Sequence, residues 1–245
     1  MKALGRMLLL AALALLALQL YFALRIAAMA WVNPESSAFE RSQAWQIAQA
    51  KPALGWRQDW RDYASISEQL KRAVVASEDD GFSQHVGVDW AALEKAWVKN
   101  AKAQDRAEQR ASSQAPGAKQ RAPKVVGGST VTQQLAKNLF LSGERTLLRK
   151  GQELVLTMML ERFLSKQRIL EIYLNHVEWG EGVFGAEAAA RHYYRKGCTQ
   201  LTPFEAARLV VMLPRPRYFE KLPNSEYLSD RAQVIVARMG EARLP

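Results

Sequence analysis

A long apolar run near the N-terminus sets the first limit on how this chain folds. Residues 7 to 24 are apolar except for Gln19, and after Arg25 a second apolar stretch runs from residue 26 to 32. A helix needs about 20 mostly apolar residues to cross a bilayer, so this run is long enough. Arg25 can extend its charge to the lipid headgroups. The run therefore predicts a single transmembrane helix.

The charges around this run indicate its orientation. Lys2 and Arg6 precede it and favour a cytoplasmic N-terminus, which places the rest of the chain outside the cytoplasm. A cleaved signal peptide is the alternative, because residues 28 to 30 (Ala-Met-Ala) resemble a cleavage site. The run is long for a signal peptide, so we favour an uncleaved anchor over residues 1–33. Residues 34–245 then form one domain of catalytic size.

The positive charge of the chain is concentrated outside this domain's predicted helices. The formal charge is +10, and residues 99–124 alone contribute +5. A nucleic-acid-binding domain more often carries a basic face across its fold, so we expect no nucleic-acid partner. Residues 99–124 are poor in aromatic and β-branched side chains and are predicted to be a mobile basic loop, whose charge could draw it to lipid phosphates. The single cysteine, Cys198, allows no intrachain disulfide.

Two glycines at 127 and 128 introduce a polar helix that is predicted to run through residue 141. Ser129, Thr130 or Thr132 could cap its start, and a helix start behind a glycine turn suits a phosphate group. Gln133 and Lys137 are four residues apart and share one face, so Lys137 could add a full charge. The stretch lacks the Lys-Ser or Lys-Thr pair of a Walker loop.

Glu78 follows an apolar helical run over residues 66–77 and has no evident basic neighbour in the sequence. A carboxyl group in such a place can have a raised pKa and act as a base. Asp79, Asp80 and His85 follow, but this acidic run lacks the helical spacing of a metal site, and the plainer interpretation is that Asp79 and Asp80 cap or solvate a turn.

The remaining pattern is helical. Helices are predicted over residues 89–98, 146–164, 166–175, 186–194, 202–212 and 229–239, with a polar connector over 34–62 and no convincing strand or internal repeat. Arg149 and Glu153 are four residues apart within the second of these helices, where a surface ion pair is the simplest interpretation.

Taken in order, these motifs resemble the peptidoglycan glycosyltransferases, glycosyltransferase family 51. The resemblance covers about residues 66–218 and rests on the stretches Glu78-Asp79…Phe82…His85…Gly87…Asp89, Gly127 to Asn138, Arg149-Lys150…Glu153, and Ile169 to Asn175 followed by Gly180, Gly182 and Gly185. It implies a mostly α, lysozyme-like, two-lobed domain preceded by the single transmembrane helix. Ser-x-x-Lys and Lys-Thr-Gly signatures are absent, so we expect the stand-alone form without a transpeptidase domain.

The resemblance also implies a reaction and its residues. The family polymerises lipid II into β-1,4 glycan strands with inversion, and releases undecaprenyl pyrophosphate. Glu78 would be the base that activates the attacking hydroxyl. Glu153 matches the family's second catalytic glutamate and could orient a basic residue, help to hold a divalent ion or assist at the donor phosphate; its spacing from Arg149 favours the first role. The residues that would bind substrate and pyrophosphate are Ser129, Thr130, Thr132, Gln133, Gln134, Lys137, Arg145 and Arg149. The expected partners are lipid II, the growing glycan strand, membrane lipid, and cell-wall synthesis or division proteins.

The resemblance implies no tightly bound cofactor and no protein metal site, although Mg²⁺ or Mn²⁺ at the pyrophosphate is a family-level expectation. It places the chain in the bacterial cytoplasmic (inner) membrane, with the catalytic domain on the periplasmic or extracellular face.

Two other functions fit part of the sequence. A membrane-anchored lysozyme-like lytic enzyme would also use a glutamate in a helical domain, but cleavage of a neutral bond does not need Lys137, Arg145 and Arg149. A non-enzymatic cell-wall scaffold would explain the anchor and the basic segment, but it would leave Glu78 and Glu153 without a role.

Overall fold

The computed structural model describes residues 2–51, 53–112, 127–144 and 146–245, which are mostly helical. The helices are α1 (Lys2–Ala28), α2 (Ala38–Ala50), α3 (Glu68–Glu78), α4 (Trp90–Ser112), α5 (Val131–Phe140), α6 (Leu147–Phe163), α7 (Lys166–His176), α8 (Ala186–Tyr194), α9 (Pro203–Met212), α10 (Pro216–Phe219) and α11 (Glu226–Met239). The strands are β1 (Arg57–Gln58), β2 (Glu178–Gly180) and β3 (Val183–Phe184). The predicted mostly α fold is confirmed.

Within the part of the chain that the structure describes, α1 is the one helix long and apolar enough to cross a membrane. Its first two-thirds are exposed, whereas Ile26 and Met29 near its end are buried against the domain. Arg168 on α7 holds this end, because its Nε donates to the Met29 carbonyl at 2.8 Å and its guanidinium also donates to Asn33 Oδ1 at 2.6 Å. The apolar helix therefore packs directly on the domain through its C-terminal part.

The predicted polar connector over residues 34–62 is wrong in part, because α2 lies within it. Ser37 and Glu40 form a capping box, in which the Ser37 side chain accepts from the Glu40 N–H and Glu40 accepts from the Ser37 N–H. Glu40 is fully buried, and its carboxylate also lies 2.9 Å from His176 Nδ1 at the end of α7. This contact fastens α2 to the core.

The expectation of no strands is also wrong, since a small sheet lies beside α8. Its order is β1-β3-β2, with β1 parallel and β2 antiparallel to β3. Strands of two and three residues are too short to show an alternating pattern in the sequence, which is why periodicity missed them.

The centre of the domain is a layer of buried helices. Helix α3 packs against α9 and α11, while α5 packs against α6 and α7. Leu70, Leu135, Leu160 and Leu170 are fully buried within this layer. The end of α3 meets the start of α5, and α5 packs along α6, so the segments that carry the predicted site residues are neighbours.

Helix α4 extends well beyond its predicted end. We expected a loop from residue 99 onwards, but the helix continues to Ser112, so the prediction is wrong for residues 99–112. Alanine, lysine, glutamine and arginine dominate this stretch, and all four are strong helix formers. A lack of aromatic residues indicates that a segment is not buried, but an exposed segment can still be helical. Residues 113–124 of the predicted loop lie outside the described residues.

Candidate active site

Glu78 is the last residue of α3, a helix capped by Ser67 and held in the core by Leu70, Ala73 and Val74. Its carboxylate is half-buried and accepts a hydrogen bond from Gln134 Nε2 at 3.0 Å. Burial raises the pKa of Glu78, the Gln134 hydrogen bond opposes the rise, and the neighbouring Asp79 charge adds to it. A carboxylate with these properties retains affinity for a proton, as a general base requires.

Tyr173 on α7 determines how Gln134 faces Glu78. The Tyr173 hydroxyl donates to Gln134 Oε1 at 3.1 Å, which leaves the amide Nε2 to donate to Glu78. With the amide reversed, Oε1 would face the carboxylate, acceptor against acceptor. Burial raises the pKa of Tyr173 well above its ordinary value, and the Glu78 and Asp79 charges raise it further, so the hydroxyl remains a donor. The sequence pattern identified Tyr173 only as a core residue.

Asp79 secures the start of α5 beside Glu78. Its Oδ2 accepts the Val131 N–H at 2.9 Å, and His85 Nε2 lies 2.7 Å from its Oδ1. A carboxylate at a helix N-terminus satisfies an unpaired N–H and complements the helix dipole. We expected Asp79 to cap or solvate a turn; it is buried, and it caps α5 and joins that helix to α3.

The predicted phosphate-binding side chains at this helix start already have partners within the protein. Thr130 is the N-cap residue of a capping box with Gln133, and its hydroxyl donates to the Gly87 carbonyl at 2.6 Å. Thr132 is buried and donates to Glu161 at 2.6 Å. Thr130, Thr132 and Gln133 thus serve the fold, and their role as substrate or pyrophosphate ligands stays a prediction. Ser129 is exposed at the helix start.

A cluster of cations surrounds Glu153 on α6. The buried Glu153 carboxylate accepts from Arg149 Nη1 at 2.9 Å and from Lys150 Nζ at 2.5 Å, so both of its oxygens are occupied. The predicted Arg149–Glu153 pair is therefore present, but at a buried carboxylate. Lys150 was absent from the predicted site, although its spacing of three residues from Glu153 indicated the contact.

Lys137 on α5 belongs electrostatically to the same cluster. Burial lowers the pKa of its amine, Glu153 raises it, and Arg149 and Lys150 lower it. Its side chain keeps an exposed surface, so we expect the amine to stay charged at neutral pH. Three cations around one carboxylate leave a positive surplus, which suits an anionic ligand.

Arg149 has donor capacity left for such a ligand. Its Nε is buried and has no hydrogen-bond partner among the residues that the structure describes. A buried N–H of a guanidinium without a partner is costly unless a ligand completes it. Arg145, the other predicted arginine, lies outside the described residues.

Helix α5 connects the two parts of the site. Gln134 contacts Glu78, and Lys137 lies one turn further along, which is a rise of about 4.5 Å. The candidate base and the cation cluster therefore lie along one side of α5. This arrangement can remove a proton at one end and stabilise a developing negative charge at the other.

The described residues do not form a built metal site. No group of three His, Cys, Asp or Glu side chains among the described residues could hold a metal ion, and both Glu153 oxygens accept hydrogen bonds, one from Arg149 and one from Lys150. The residues present do not fit a protein-held divalent ion, so we derive no step through one.

Comparison with known proteins agrees with this geometry. A family model described as transglycosylase matches residues 46–240. The chain is 50% identical over 230 residues to a biosynthetic peptidoglycan transglycosylase of Burkholderia thailandensis, covering 94% of this chain and 83% of that protein. Proteins of the same name from Herminiimonas arsenicoxydans (49% identity, 94% and 92% covered) and Paraburkholderia phytofirmans (47% identity, 96% and 90% covered) are similarly close.

Proposed function

The chain belongs to the transglycosylase family, and from this premise we propose which of its residues perform the reaction. It is a peptidoglycan glycosyltransferase, and its substrates are lipid II and the growing glycan strand. The comparisons do not favour the lytic enzyme or the scaffold. The observation that carries the residue assignment is the placement of a half-buried Glu78 beside a cation cluster along α5.

We assign Glu78 as the general base. In the reaction the 4-hydroxyl of one sugar attacks the anomeric carbon of another, the hydroxyl proton passes to the base, and the pyrophosphate leaves with the bonding electrons. A base must be ionised and must also hold a proton once it has taken it. Burial and the Asp79 charge favour the protonated form of Glu78, while Gln134 keeps the ionised form accessible.

We assign Lys137 and Arg149 to the leaving pyrophosphate, with Lys150 beside them. Negative charge grows on the leaving group in the transition state, and prepositioned cations stabilise it without reorganisation. Arg149 contributes a guanidinium whose Nε has no partner among the described residues, and Lys137 contributes the amine of a side chain that keeps an exposed surface. A hydrolase acting on a neutral glycan bond would have no such leaving group, so this cluster favours synthesis over cleavage.

In this proposal the role of Glu153 is to position neighbouring cations. Its buried carboxylate holds Arg149 and Lys150 through two short ion pairs and therefore orients the cations that face the substrate. A role as a metal ligand would require these pairs to break. Binding of Mg²⁺ or Mn²⁺ at the pyrophosphate of the substrate stays a prediction.

We propose that α1 anchors the enzyme in the bacterial cytoplasmic membrane with the catalytic domain on its outer face. Lys2 and Arg6 before the apolar run support this orientation. An undecaprenyl-linked substrate stays in the same membrane, so enzyme and substrate would meet in two dimensions. Association with other cell-wall synthesis or division proteins also stays a prediction.

The direct test is incubation of the detergent-solubilised protein with labelled lipid II, followed by separation of products by size and digestion with a muramidase. We expect a muramidase-sensitive polymer. Shortening of preformed glycan without polymer formation from lipid II would contradict the proposal and favour the lytic alternative.

The Tyr173 hydroxyl provides a second test through pH. In Tyr173→Phe the Gln134 amide loses its fixed orientation and no longer donates reliably to Glu78, so the pKa of Glu78 should rise further. The base must be ionised, so the acidic limb of the kcat/KM profile should move to higher pH, with the loss growing as the pH falls. The measurement is the pH profile of lipid II polymerisation.

The control for this variant is Tyr218→Phe, which removes the same hydroxyl from an exposed tyrosine on α10. It should keep the wild-type profile. A Tyr173→Phe enzyme that loses activity equally at every pH would contradict the role of Tyr173 in orienting Gln134.

A further inference from the structure

Gln19 is the one amide in the apolar part of α1, and it faces the domain. Residues 2–18 of α1 are exposed, whereas Gln19, Phe22, Ala23 and Ile26 form a less exposed stripe with helical spacing. Gln19 is the first residue of this stripe. The contact between the anchor and the domain therefore begins at a polar side chain.

The partner of Gln19 is Gln152 on α6, and the two amides bond reciprocally. Gln19 Nε2 donates to Gln152 Oε1 at 3.0 Å, and Gln152 Nε2 donates to Gln19 Oε1 at 3.2 Å. A polar group facing lipid is costly without a partner, and paired glutamines are a known means of joining helices in a membrane. The pair specifies the rotation of α1 against α6, which apolar contacts alone would specify poorly.

The position of Gln19 along α1 sets the depth of this contact. It lies nine residues before Ala28 and twelve after Met7, which are rises of about 14 Å and 18 Å. In a hydrocarbon core of about 30 Å, Gln19 is thus within the outer half. Leu147 and Leu148 at the start of α6 are 92% and 86% exposed, as suits a segment in contact with lipid.

Other contacts continue the interface towards the end of the anchor. The Phe22 and Phe140 rings meet edge-on at 5.5 Å, and the Arg25 guanidinium lies 5.3 Å from the Phe140 ring centre. Phe140 is the last residue of α5, the helix that carries Lys137. The anchor therefore contacts both helices that carry the cation cluster.

We propose that the Gln19–Gln152 pair positions α6 for catalysis. Gln152 directly precedes Glu153 and lies three residues after Arg149, so a shift or rotation of α6 would displace the cations. The amide pair therefore fixes the rotation and the depth of these cations relative to the anchor. This inference rests on the proposed function of the cluster, and Gln19 and Gln152 are positioning residues in it.

The geometry can be tested without activity. In native membranes, the Gln19→Cys/Gln152→Cys protein should react efficiently with a short bifunctional thiol reagent. The matched control is Ala17→Cys/Gln152→Cys, because residue 17 is exposed on the opposite face of α1. The native Cys198 is buried and should not interfere. Equal cross-linking of both pairs would overturn the proposal, whatever the enzyme's activity.

The catalytic consequence is tested with Gln19→Leu, Gln152→Leu and the double variant in lipid vesicles containing lipid II. Each single variant should lower kcat about tenfold with KM changed less than twofold, because misplaced groups mainly weaken transition-state contacts. The double variant should be no worse than either single one, since all three lose the same contact. Gln19→Asn, which keeps an amide, should recover part of the rate, and Ala17→Leu should match wild type.

The two tests separate this inference from the proposed function. Wild-type kcat and KM in Gln19→Leu would overturn the positioning role even if the cysteine pair cross-links. Failure of the wild-type protein to polymerise lipid II would overturn the proposed function, and with it the catalytic role of the pair, while the cross-link would still report the contact. Additive losses in the double variant would contradict a shared contact.

Discussion

Replacing Glu78 by glutamine is expected to abolish lipid II polymerisation, with a loss of about 10³-fold or more in kcat. Glutamine keeps the size of the side chain and can still bond Gln134, but it cannot accept the proton of the attacking hydroxyl. General-base catalysis typically contributes about 10²- to 10⁴-fold. The measurement is the initial rate of muramidase-sensitive polymer formation.

The matched control is Glu68→Gln, the same substitution on the same helix. Glu68 is exposed at the start of α3 and pairs with Arg72, so its loss should leave the rate near wild type. Turnover of Glu78→Gln within about tenfold of wild type would remove Glu78 as the base.

Measurements of Tm show whether Glu78→Gln still folds, and the raised pKa of Glu78 predicts how the Tm of the variant compares with wild type. The pKa of Glu78 is raised in the folded state, so the unfolded chain releases this proton first as the pH rises. The free energy of unfolding therefore falls with rising pH between the unfolded and folded pKa values. The variant does not incur this loss, and at pH 7 its Tm should equal or exceed that of wild type.

Replacing Lys137 by alanine is expected to lower kcat about 10²- to 10³-fold while changing lipid II affinity much less. The amine is placed where the leaving pyrophosphate gains negative charge, so its contribution is greatest in the transition state. Parallel measurements of polymerisation kinetics and of lipid II binding separate the two effects.

Lys51→Ala is the control for Lys137→Ala. Lys51 is also an exposed lysine, but it pairs with Glu181 between β2 and β3 and is not part of the cation cluster. Its replacement should leave kcat unchanged. If Lys137→Ala weakened binding and kept kcat, Lys137 would be a ground-state ligand, contrary to the proposal.

Features that depend on residues close together in the chain could be predicted from the sequence alone. The apolar run is visible because a bilayer-spanning helix requires length and apolarity, and both can be counted along the chain. The Arg149–Glu153 pair could also be predicted, since a helix places residues four apart on one face.

Local pattern did not reveal partners that are distant in the sequence. Thr130 and Thr132 were predicted from the helix start alone, and only the structure shows that their hydroxyls donate to Gly87 and Glu161. Asp79 resembled a surface turn residue for the same reason, since its partner Val131 lies 52 residues away.

By itself the sequence determined the helical fold class, the long apolar N-terminal helix and the ordered motifs with Glu78, Lys137, Arg149 and Glu153. These follow from periodicity, capping and residue type, which act over a few residues. Only the tertiary structure decided the environment of each group: that Tyr173 orients Gln134 towards Glu78, that Lys150 shares Glu153, and that Gln19 meets Gln152. Hydrogen bonds and burial depend on which distant segments pack together, and no local pattern specifies that packing.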